Sequence, residues 1–339
     1  MFGKFFMRCS LTVIGGFLLT GGMVVANAQM SAPLVGLIAS HEGPGPAKVR
    51  PVLGVLGASS VRTAIPLPPD LTLVDLAPQG RWALVQRRWQ GLGLVAFTGA
   101  TPGDILAIDG ALPNPDVLSF SPAGKSAGLL FKSRGVIQVL AGLDGATPRV
   151  AYQVDFFDPS GVSRIAVSDD GLLVMLLTNG GQVYMLSSSM TPLLAYAGSP
   201  MLGIAFVPNR STAIIADGAA GTLNLARMVR GSPSVQTVTG NLDLTGGEVL
   251  VQASSDGASA FALATGGTLA YRVELATGSL QTLTLPATAT RLDRLRDGDS
   301  FVFSAAPGRP VWFLTGNGSG LQAVFAANAD DRPVIRAVR

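Results

Sequence analysis

The chain has 339 residues, of which 24 are Lys or Arg, 21 are Asp or Glu, one is His and one is Cys. One Cys excludes a disulfide framework, and one His with one Cys excludes the usual zinc and copper sites and disfavours His-based nucleophilic triads. A formal net charge of +3 gives no global attraction for nucleic acid or an anionic membrane. We therefore expect no metal, no cofactor and no nucleic-acid partner.

The first 28 residues differ from the rest of the chain. Lys4 and Arg8 precede an apolar run over residues 11–26, and small residues follow up to Ala28. A basic start, an apolar middle and a small-x-small end are typical of a secretory signal peptide. The alternative, an uncleaved membrane anchor, is disfavoured because the run is shorter than the roughly 20 apolar residues of a span. The sequence predicts an exported protein, periplasmic or extracellular, without stable membrane insertion after cleavage.

One phrase recurs from residue 76 onward, and its clearest copy is VSDDGLLVMLLTNGGQVYML at 167–186. A polar turn with Gly precedes an apolar run, and a second Gly turn precedes another. The turn position recurs every 39 to 47 residues, at Gly80, Gly124, Gly171, Arg210 (where Arg replaces Gly), Gly257 and Gly298. The second turn follows ten or eleven residues later in every copy. This constant inner spacing indicates a repeated structural unit.

Each unit is typical of β structure. Continuous apolar runs such as LLVMLL indicate strands buried on both faces, and the turn TNGG is of hairpin type. No helical period is sustained after residue 30, and 42 Gly with 22 Pro would break long helices. Four antiparallel strands repeated about every 40–45 residues predict the blades of a β-propeller, an all-β fold.

The number of units sets the predicted domain organisation. Six units carry the turn phrase within residues 73–339, and residues 29–72 have the length of about one more unit. We predict seven four-stranded antiparallel blades, with six as the alternative. We expect the segment 29–72 to join the C-terminal DRPVIRAVR in the blade that closes the ring. Residues 1–28 are the predicted signal peptide.

Three copies of the phrase carry a family resemblance: FSPAGKSAGLLF, VSDDGLLVMLL and ASSDGASAFALATGGTLAYRVE. They resemble the repeats of the bacterial YVTN/WD40-like β-propeller superfamily, in which a Ser-Pro-Asp-Gly turn, an apolar strand and a Gly-Thr-Val strand recur. The resemblance covers residues 73–328 and implies the propeller fold. It implies no single function, because the superfamily includes lactonases, quinoprotein-like enzymes, surface-layer proteins and binding platforms. The Trp-Asp blade ending is missing, and Arg210 and Arg309 replace Gly in two turns.

Residue types typical of binding hot spots occur in loops that do not repeat. In a propeller, the second hairpin turn of a blade and the connection to the next blade lie on one face, around the channel. Arg and aromatic residues are enriched in binding hot spots. The candidate binding residues, called here the loop-face patch, are Arg87, Arg88, Trp89, Lys132, Arg134, Asp155, Phe156, Phe157 and Asp158. The alternative is an ordinary charged rim with two Phe inserted into a seam between blades.

These observations favour a monomeric, exported binding or scaffold module. Its partner would be a protein, a peptide or a glycan held on the loop face, without catalysis. A propeller-type hydrolase or lactonase acting on a sugar or lactone is the alternative, with Asp155 or Asp158 as the acid/base group. Against it, the sequence shows no Glu, His and Asp converging at repeated positions. A structural cell-surface protein is the second alternative.

Overall fold

The computed structural model describes residues 32–40, 47–88, 91–145, 147–156, 161–188, 190–229, 231–296, 298–305, 309–317 and 320–328. The predicted signal peptide, the C-terminal DRPVIRAVR and three residues of the loop-face patch (Trp89, Phe157 and Asp158) lie outside the described residues. In the part of the chain that is described, no helix has the length and hydropathy needed to cross a membrane.

Five sheets of four antiparallel strands follow one another along the described chain. Blade I contains β4 Leu71–Leu76, β5 Trp82–Arg87, β6 Gly91–Thr98 and β7 Thr101–Ala107. Blade II contains β8 Val117–Phe120, β9 Ser126–Phe131, β10 Val136–Ala141 and β11 Arg149–Asp155. Blade III contains β12 Val162–Val167, β13 Leu173–Thr178, β14 Gln182–Ser187 and β15 Met190–Ala197. Blade IV contains β16 Leu202–Phe206, β17 Thr212–Asp217, β18 Thr222–Val229 and β19 Ser232–Thr239. Blade V contains β20 Val249–Ala253, β21 Ser259–Ala264, β22 Leu269–Glu274 and β23 Leu280–Thr284.

A further sheet joins strands from both ends of the described chain and is called the closing sheet. Its strands are β1 Leu34–Ser40, β2 Lys48–Val55, β3 Ala58–Val61, β24 Asp293–Arg294, β25 Ser300–Ser304, β26 Val311–Asn317 and β27 Gly320–Asn328. They are ordered β1-β2-β3-β27-β26-β25-β24. The pairing of β3 with β27 is parallel, with Ala326 opposite Ser59. Early and late segments of the chain are therefore hydrogen-bonded to each other.

The turn between the first and second strands has the same construction in different blades. In blade III, Gly171 has a φ of 69°, which Gly accommodates better than other residues. The Ser168 hydroxyl donates to Asp170 Oδ1 at 2.6 Å, and Leu172 N–H donates to the same oxygen at 2.9 Å. The turn over residues 254–258 of blade V repeats these bonds. Asp170 and Asp256 thus each accept a backbone N–H of their own turn.

Hydrogen bonds between these turns connect neighbouring blades. Asp169 Oδ1 accepts the Ala123 N–H of blade II, and Asp169 Oδ2 accepts the Asn209 N–H of blade IV, both at 2.7 Å. In the same way the Trp82 indole N–H of blade I donates to the Gly124 carbonyl at 3.1 Å. The Asp169 side chain is buried. Blades I to IV are thus fixed to one another on one face of the molecule.

Apolar side chains fill the seams between adjacent sheets. Leu130 and Ile137 of blade II share one buried cluster with Val174 of blade III, and similar clusters join the other consecutive blades. At the closing sheet, β1 contributes Leu37 to a cluster with blade I, and Ile38 to a cluster with strands β24–β27. Every described sheet is therefore covered on both faces, and the sheets close into a ring. The predicted all-β propeller of four-stranded antiparallel sheets is confirmed.

Candidate functional site

The blade II residues of the loop-face patch are neighbours in the structure. Arg134 lies in the short turn Lys132–Arg134 between β9 and β10 and is exposed. Asp155 pairs with Val136 at the start of β10, and the Phe156 N–H donates to the Gly135 carbonyl at 2.8 Å. The second hairpin turn of this blade therefore lies beside the connection that leaves it.

The blade I residues lie on the other side of a shared connecting segment, residues 108–116. The Gln86 side chain accepts the Asn114 N–H at 3.1 Å, next to Arg87 and Arg88, and Arg88 is exposed. From the opposite side, the Lys132 N–H donates to Asp116 Oδ2 at 2.7 Å. The two basic turns therefore flank one connection between blades I and II.

Phe156 is held in a seam between two blades. Its ring is half-buried and stands edge-on to Tyr184 of blade III, with ring centroids 6.5 Å apart. It belongs to the buried cluster between blades II and III. This position corresponds to the seam alternative considered for the two Phe residues. The use of the patch for binding stays a prediction.

The structure shows a second candidate site where the first strands of the sheets converge. A cavity of about 200 Å³ is lined by residues of β1, β4, β8 and β20 and by the segment around β24. An adjoining cavity of about 300 Å³ shares several of these residues and adds residues of β12 and β16. The two are called here the channel cavity. Its walls come from the first strand of each blade and from β1 and β24 of the closing sheet.

The polar groups of the channel cavity occupy one register position. The residue five places before the turn glycine or its Arg replacement is Asp75, Ser119, Ala166, Ala205, Gln252 or Asp293 in successive units. The four polar members all line the cavity. The two alanines are buried in seams of blades III and IV. The polar side of the cavity therefore lies at the closing sheet and at blades I, II and V. Blades III and IV have small apolar residues at the same register position.

Arg291 and Asp293 form an ion pair on the polar side. The Arg291 Nε and Nη2 groups both donate to Asp293 Oδ2. The third nitrogen, Nη1, donates to the Ala39 carbonyl of β1 at 2.7 Å. Half of the Asp293 side chain is exposed, and its Oδ1 has no hydrogen-bond partner among the described residues. All three guanidinium nitrogens of Arg291 thus donate to acceptors of the protein, whereas Asp293 Oδ1 remains open to the cavity.

Asp75 is a carboxyl group with a strongly shifted pKa. Burial raises the pKa of Asp75 to about 7, and the neighbouring Asp293 adds to the rise. The Leu76 N–H, which donates to Asp75 Oδ1 at 2.8 Å, and the Arg291 charge oppose it. The group lies deep in the ring but is only half-buried, because it faces the cavity. It therefore gains and loses a proton near neutral pH, beside a carboxylate already paired with Arg291.

Two further arginines next to the cavity are also bonded to protein acceptors. Arg164 is ion-paired with Glu248, and its Nη1 donates to the Val249 carbonyl at 2.8 Å. Arg294 is buried, and its Nη1 and Nη2 donate to the carbonyls of Gly298 and Ala253. By contrast, the half-buried Gln252 amide has no hydrogen-bond partner in the described part of the chain. Among the described residues, the free hydrogen-bonding groups of the site are thus the Gln252 amide, Asp293 Oδ1 and the second carboxyl oxygen of Asp75. The Arg294 Nε also has no partner, but it is fully buried.

The residues of the channel cavity are not among those predicted from the sequence. Asp75 and Asp293 share one register position, and their charges interact. The expectation that Glu, His and Asp do not converge at repeated positions stays a prediction. The sequence signal that could have identified the channel residues is a polar residue at one repeated position of the mostly apolar first strand of a unit. Across the described residues, no group of three or more His, Cys, Asp or Glu side chains could hold a metal ion.

Comparison with known proteins identifies the fold. No family model and no curated protein matches the chain. A protein of unknown function from Desulfotomaculum acetoxidans has a TM-score of 0.59 and 13% identity, over 87% of this chain and 100% of its own. A candidate 6-phosphogluconolactonase from Bacteroides fragilis has a TM-score of 0.51 and 15% identity, over 88% and 95%. Hydrazine synthase from Kuenenia stuttgartiensis has a TM-score of 0.50 and 11% identity, over 89% and 99%.

At these identities the likeness shows the β-propeller fold alone. Membership of the YVTN/WD40-like superfamily stays a prediction.

Replacing Asp75 by Asn is expected to stabilise the protein at pH 8 and to have little effect at pH 4. The native state keeps the Asp75 proton up to a pKa of about 7, whereas the ordinary value is 3.8. Between these values the native state binds more protons than the unfolded state, so the free energy of unfolding falls as pH rises. Above pH 7 Asp75 is ionised in both states, and its full destabilising effect is present. The shift corresponds to roughly 4 kcal/mol. Solvent in the cavity screens part of it, so we expect a gain of about 2 kcal/mol.

Urea denaturation of both proteins at pH 4 and pH 8 measures this difference. Asp104→Asn, on the exposed side of β7, is the matched control and should leave stability unchanged at both values. A variant Asp75→Asn that is less stable than the wild type at pH 8 would contradict the assignment.

Proposed function

We propose that the chain is an exported, non-catalytic binding module whose channel cavity holds a small polar ligand. One observation carries this proposal: a free amide and open carboxyl oxygens, from different sheets, meet at one cavity. A few polar groups converging on a concave site are typical of ligand recognition. Such groups do not stabilise the fold, since a buried polar group without a partner lowers the free energy of unfolding by about 1–3 kcal/mol.

The ring that surrounds this cavity would have seven blades. The closing sheet would supply two of them, β24–β27 with four strands and β1–β3 with three. In support of this count, β1 lines the cavity as the other first strands do, and it packs between blade I and strands β24–β27. The N-terminal segment 29–72 would then close the ring, after removal of the signal peptide 1–28.

The loop-face patch would be a second surface of the same module. Arg88 and Arg134 are exposed on either side of the segment 108–116, and Asp155 is exposed next to Arg134. This face would hold a protein, peptide or glycan on a monomeric propeller.

Replacement of Gln252 by Leu is expected to abolish ligand retention by the channel cavity. Leu has a similar size but removes the free amide that orients the ligand. The purified protein is dialysed against a small-molecule extract of the source cells, and retained compounds are identified by mass spectrometry. The control variant Gln281→Leu changes an exposed residue of β23. Equal retention by the wild type, Gln252→Leu and Gln281→Leu would overturn the channel as the binding site.

A hydrolase acting on a sugar or lactone is the second candidate function, and the Asp75 pKa of about 7 favours it. Two neighbouring carboxyl groups that differ in environment can divide acid and base roles. Asp155 is less suited, because it lies exposed at the end of β11. In the same dialysis, a hydrolase would consume a compound and release a product, and Asp75→Asn would stop this turnover. Retention without any product supports the binding module.

A further inference from the structure

We infer that the ligand of the channel cavity is a small organic cation with a primary ammonium group, an inference that rests on the proposed function. The cationic and anionic groups around the cavity differ in how far the protein itself satisfies them. The cationic side chains are bonded to the protein itself, whereas carboxyl oxygens remain open.

The arginines of the cavity wall donate to acceptors of the protein itself. Arg291 donates through Nε and both Nη groups to Asp293 and Ala39, so an anionic ligand would have to break an existing pair to reach it. Arg164 is used by Glu248 and Val249 at the far side of the cavity. A phosphate or carboxylate ligand therefore meets no exposed, unpaired guanidinium N–H in the described wall, because the one unpaired donor, Arg294 Nε, is buried.

Arg294 does not offer an anionic ligand a binding group either. It is a buried residue of the cavity wall. Burial lowers the pKa of its guanidinium to about 10, and the carboxylates of Asp299, Asp169 and Asp256 oppose that shift. Its charge is thus surrounded by acidic groups on the turn side of the ring. Its two Nη groups donate to the backbone carbonyls of Gly298 and Ala253.

Two carboxyl groups of the cavity wall each have an acceptor oxygen without a partner among the described residues. Asp293 has one open oxygen after its pairing with Arg291, and the second oxygen of Asp75 has no partner among the described residues. With both carboxyl groups ionised, Asp75, Asp293 and Arg291 together carry one excess negative charge. A bound ammonium group would balance that charge and offer three donors to Asp75, Asp293 and the Gln252 carbonyl oxygen.

The size of the cavity and its apolar wall suit a small aliphatic cation. The part of the channel cavity that Asp75 lines has about 200 Å³, and the adjoining part has about 300 Å³. The part beside Asp75 is smaller than the roughly 300–1,000 Å³ of drug-sized pockets, so a ligand of a few heavy atoms fills it. Phe120 lies in the wall beside Ser119, and aromatic rings are favourable neighbours of ammonium groups. The apolar residues Ile38 and Leu118 suit an aliphatic chain.

Protonation of Asp75 competes with a cationic ligand. Asp293 and Arg291 are the charged groups that face Asp75, and the β1 and β8 residues of the cavity wall include no titratable side chain. Below neutral pH, Asp75 must release a proton before it can pair with an ammonium group. The affinity for a cation should therefore rise about tenfold from pH 6 to pH 8, whereas the affinity for a neutral molecule of the same shape should not.

The test is calorimetric titration of the purified full chain at pH 6 and pH 8. The probes are 1,4-diaminobutane, its neutral counterpart 1,4-butanediol, and glucose 6-phosphate as an anion. We expect the diamine to bind at least tenfold more tightly than the diol at pH 8, and glucose 6-phosphate not to bind. Asp75→Asn should weaken diamine binding by tenfold or more, and Asp104→Asn should leave it unchanged.

Equal binding of the diol and the diamine, binding of glucose 6-phosphate, or failure of the diamine to bind the wild type would each overturn the cationic ligand. None of these results would overturn the proposed function, which depends on the Gln252→Leu dialysis. Circular dichroism of Asp75→Asn confirms that a loss of binding is not a loss of fold.

Discussion

Replacing Gly181 by Ala is expected to lower the free energy of unfolding by about 3–5 kcal/mol. Gly181 lies in the turn before β14 with a φ of 77°, a conformation that strains any residue with a Cβ atom. A Cβ atom would also overlap the carbonyl group of Ser199 in the connection that leaves blade III. Because the obstacle is backbone, the connection to blade IV must move as a whole.

Gly266 provides a matched control for the backbone strain. It has a φ of 75°, and a Cβ atom there would meet nothing within 4 Å. Gly266→Ala should cost only the conformational strain, roughly 1–2 kcal/mol. Urea denaturation of both variants separates the two contributions. Equal losses of stability would show that the close approach of the two turns at Gly181 is not present in solution.

Replacing Arg50 by Ala is expected to destabilise the closed ring by about 2–4 kcal/mol, because two acceptors lose their donor. Arg50 is a buried residue of β2, and its Nε donates to the Arg62 carbonyl at 2.8 Å. Its Nη2 donates to Asn328 Oδ1 of β27, also at 2.8 Å. One side chain thus connects β2, the segment after β3 and β27. Its removal leaves the Arg62 carbonyl and Asn328 Oδ1 without this donor at the junction of early and late strands.

Thermal and urea unfolding measure this effect, with the exposed Arg81→Ala as the matched control. Arg50→Lys should recover only part of the stability, because Lys lacks the planar fork of donors. If Arg50→Ala does not fold, Asn328→Ala provides a milder variant with an expected loss of about 1–2 kcal/mol. A loss for Arg50→Ala or Asn328→Ala no greater than that for Arg81→Ala would contradict this role in ring closure.

The fold was predictable because its signals are local. Turns such as Ser168 to Gly171 and the apolar strands after them recur at nearly constant spacing, so one copy identifies the others. The closing sheet was harder to predict from the sequence. Strands β1–β3 carry no turn phrase, and the parallel pairing of β3 with β27 joins segments at opposite ends of the described chain. No pattern within one unit specifies such a contact.

The channel cavity was missed for a related reason. Asp75 and Asp293 each appear as a single polar residue in an apolar strand, far apart in the chain, and only closure of the ring brings them together. The same closure generates the raised pKa of Asp75, because that shift depends on burial by several sheets and on the charge of Asp293. Loops such as KSRG were easier to select because their charged residues are adjacent in sequence.

Chemical-shift mapping by NMR, with backbone amides assigned and 1,4-diaminobutane as the added ligand, tests the channel site most directly. We predict that the perturbed amides are those of first-strand residues at the cavity, above all Leu76, Ser119, Gln252 and Asp293. Perturbations confined to the loop-face residues Arg88, Arg134 and Asp155 would contradict the channel as the ligand site.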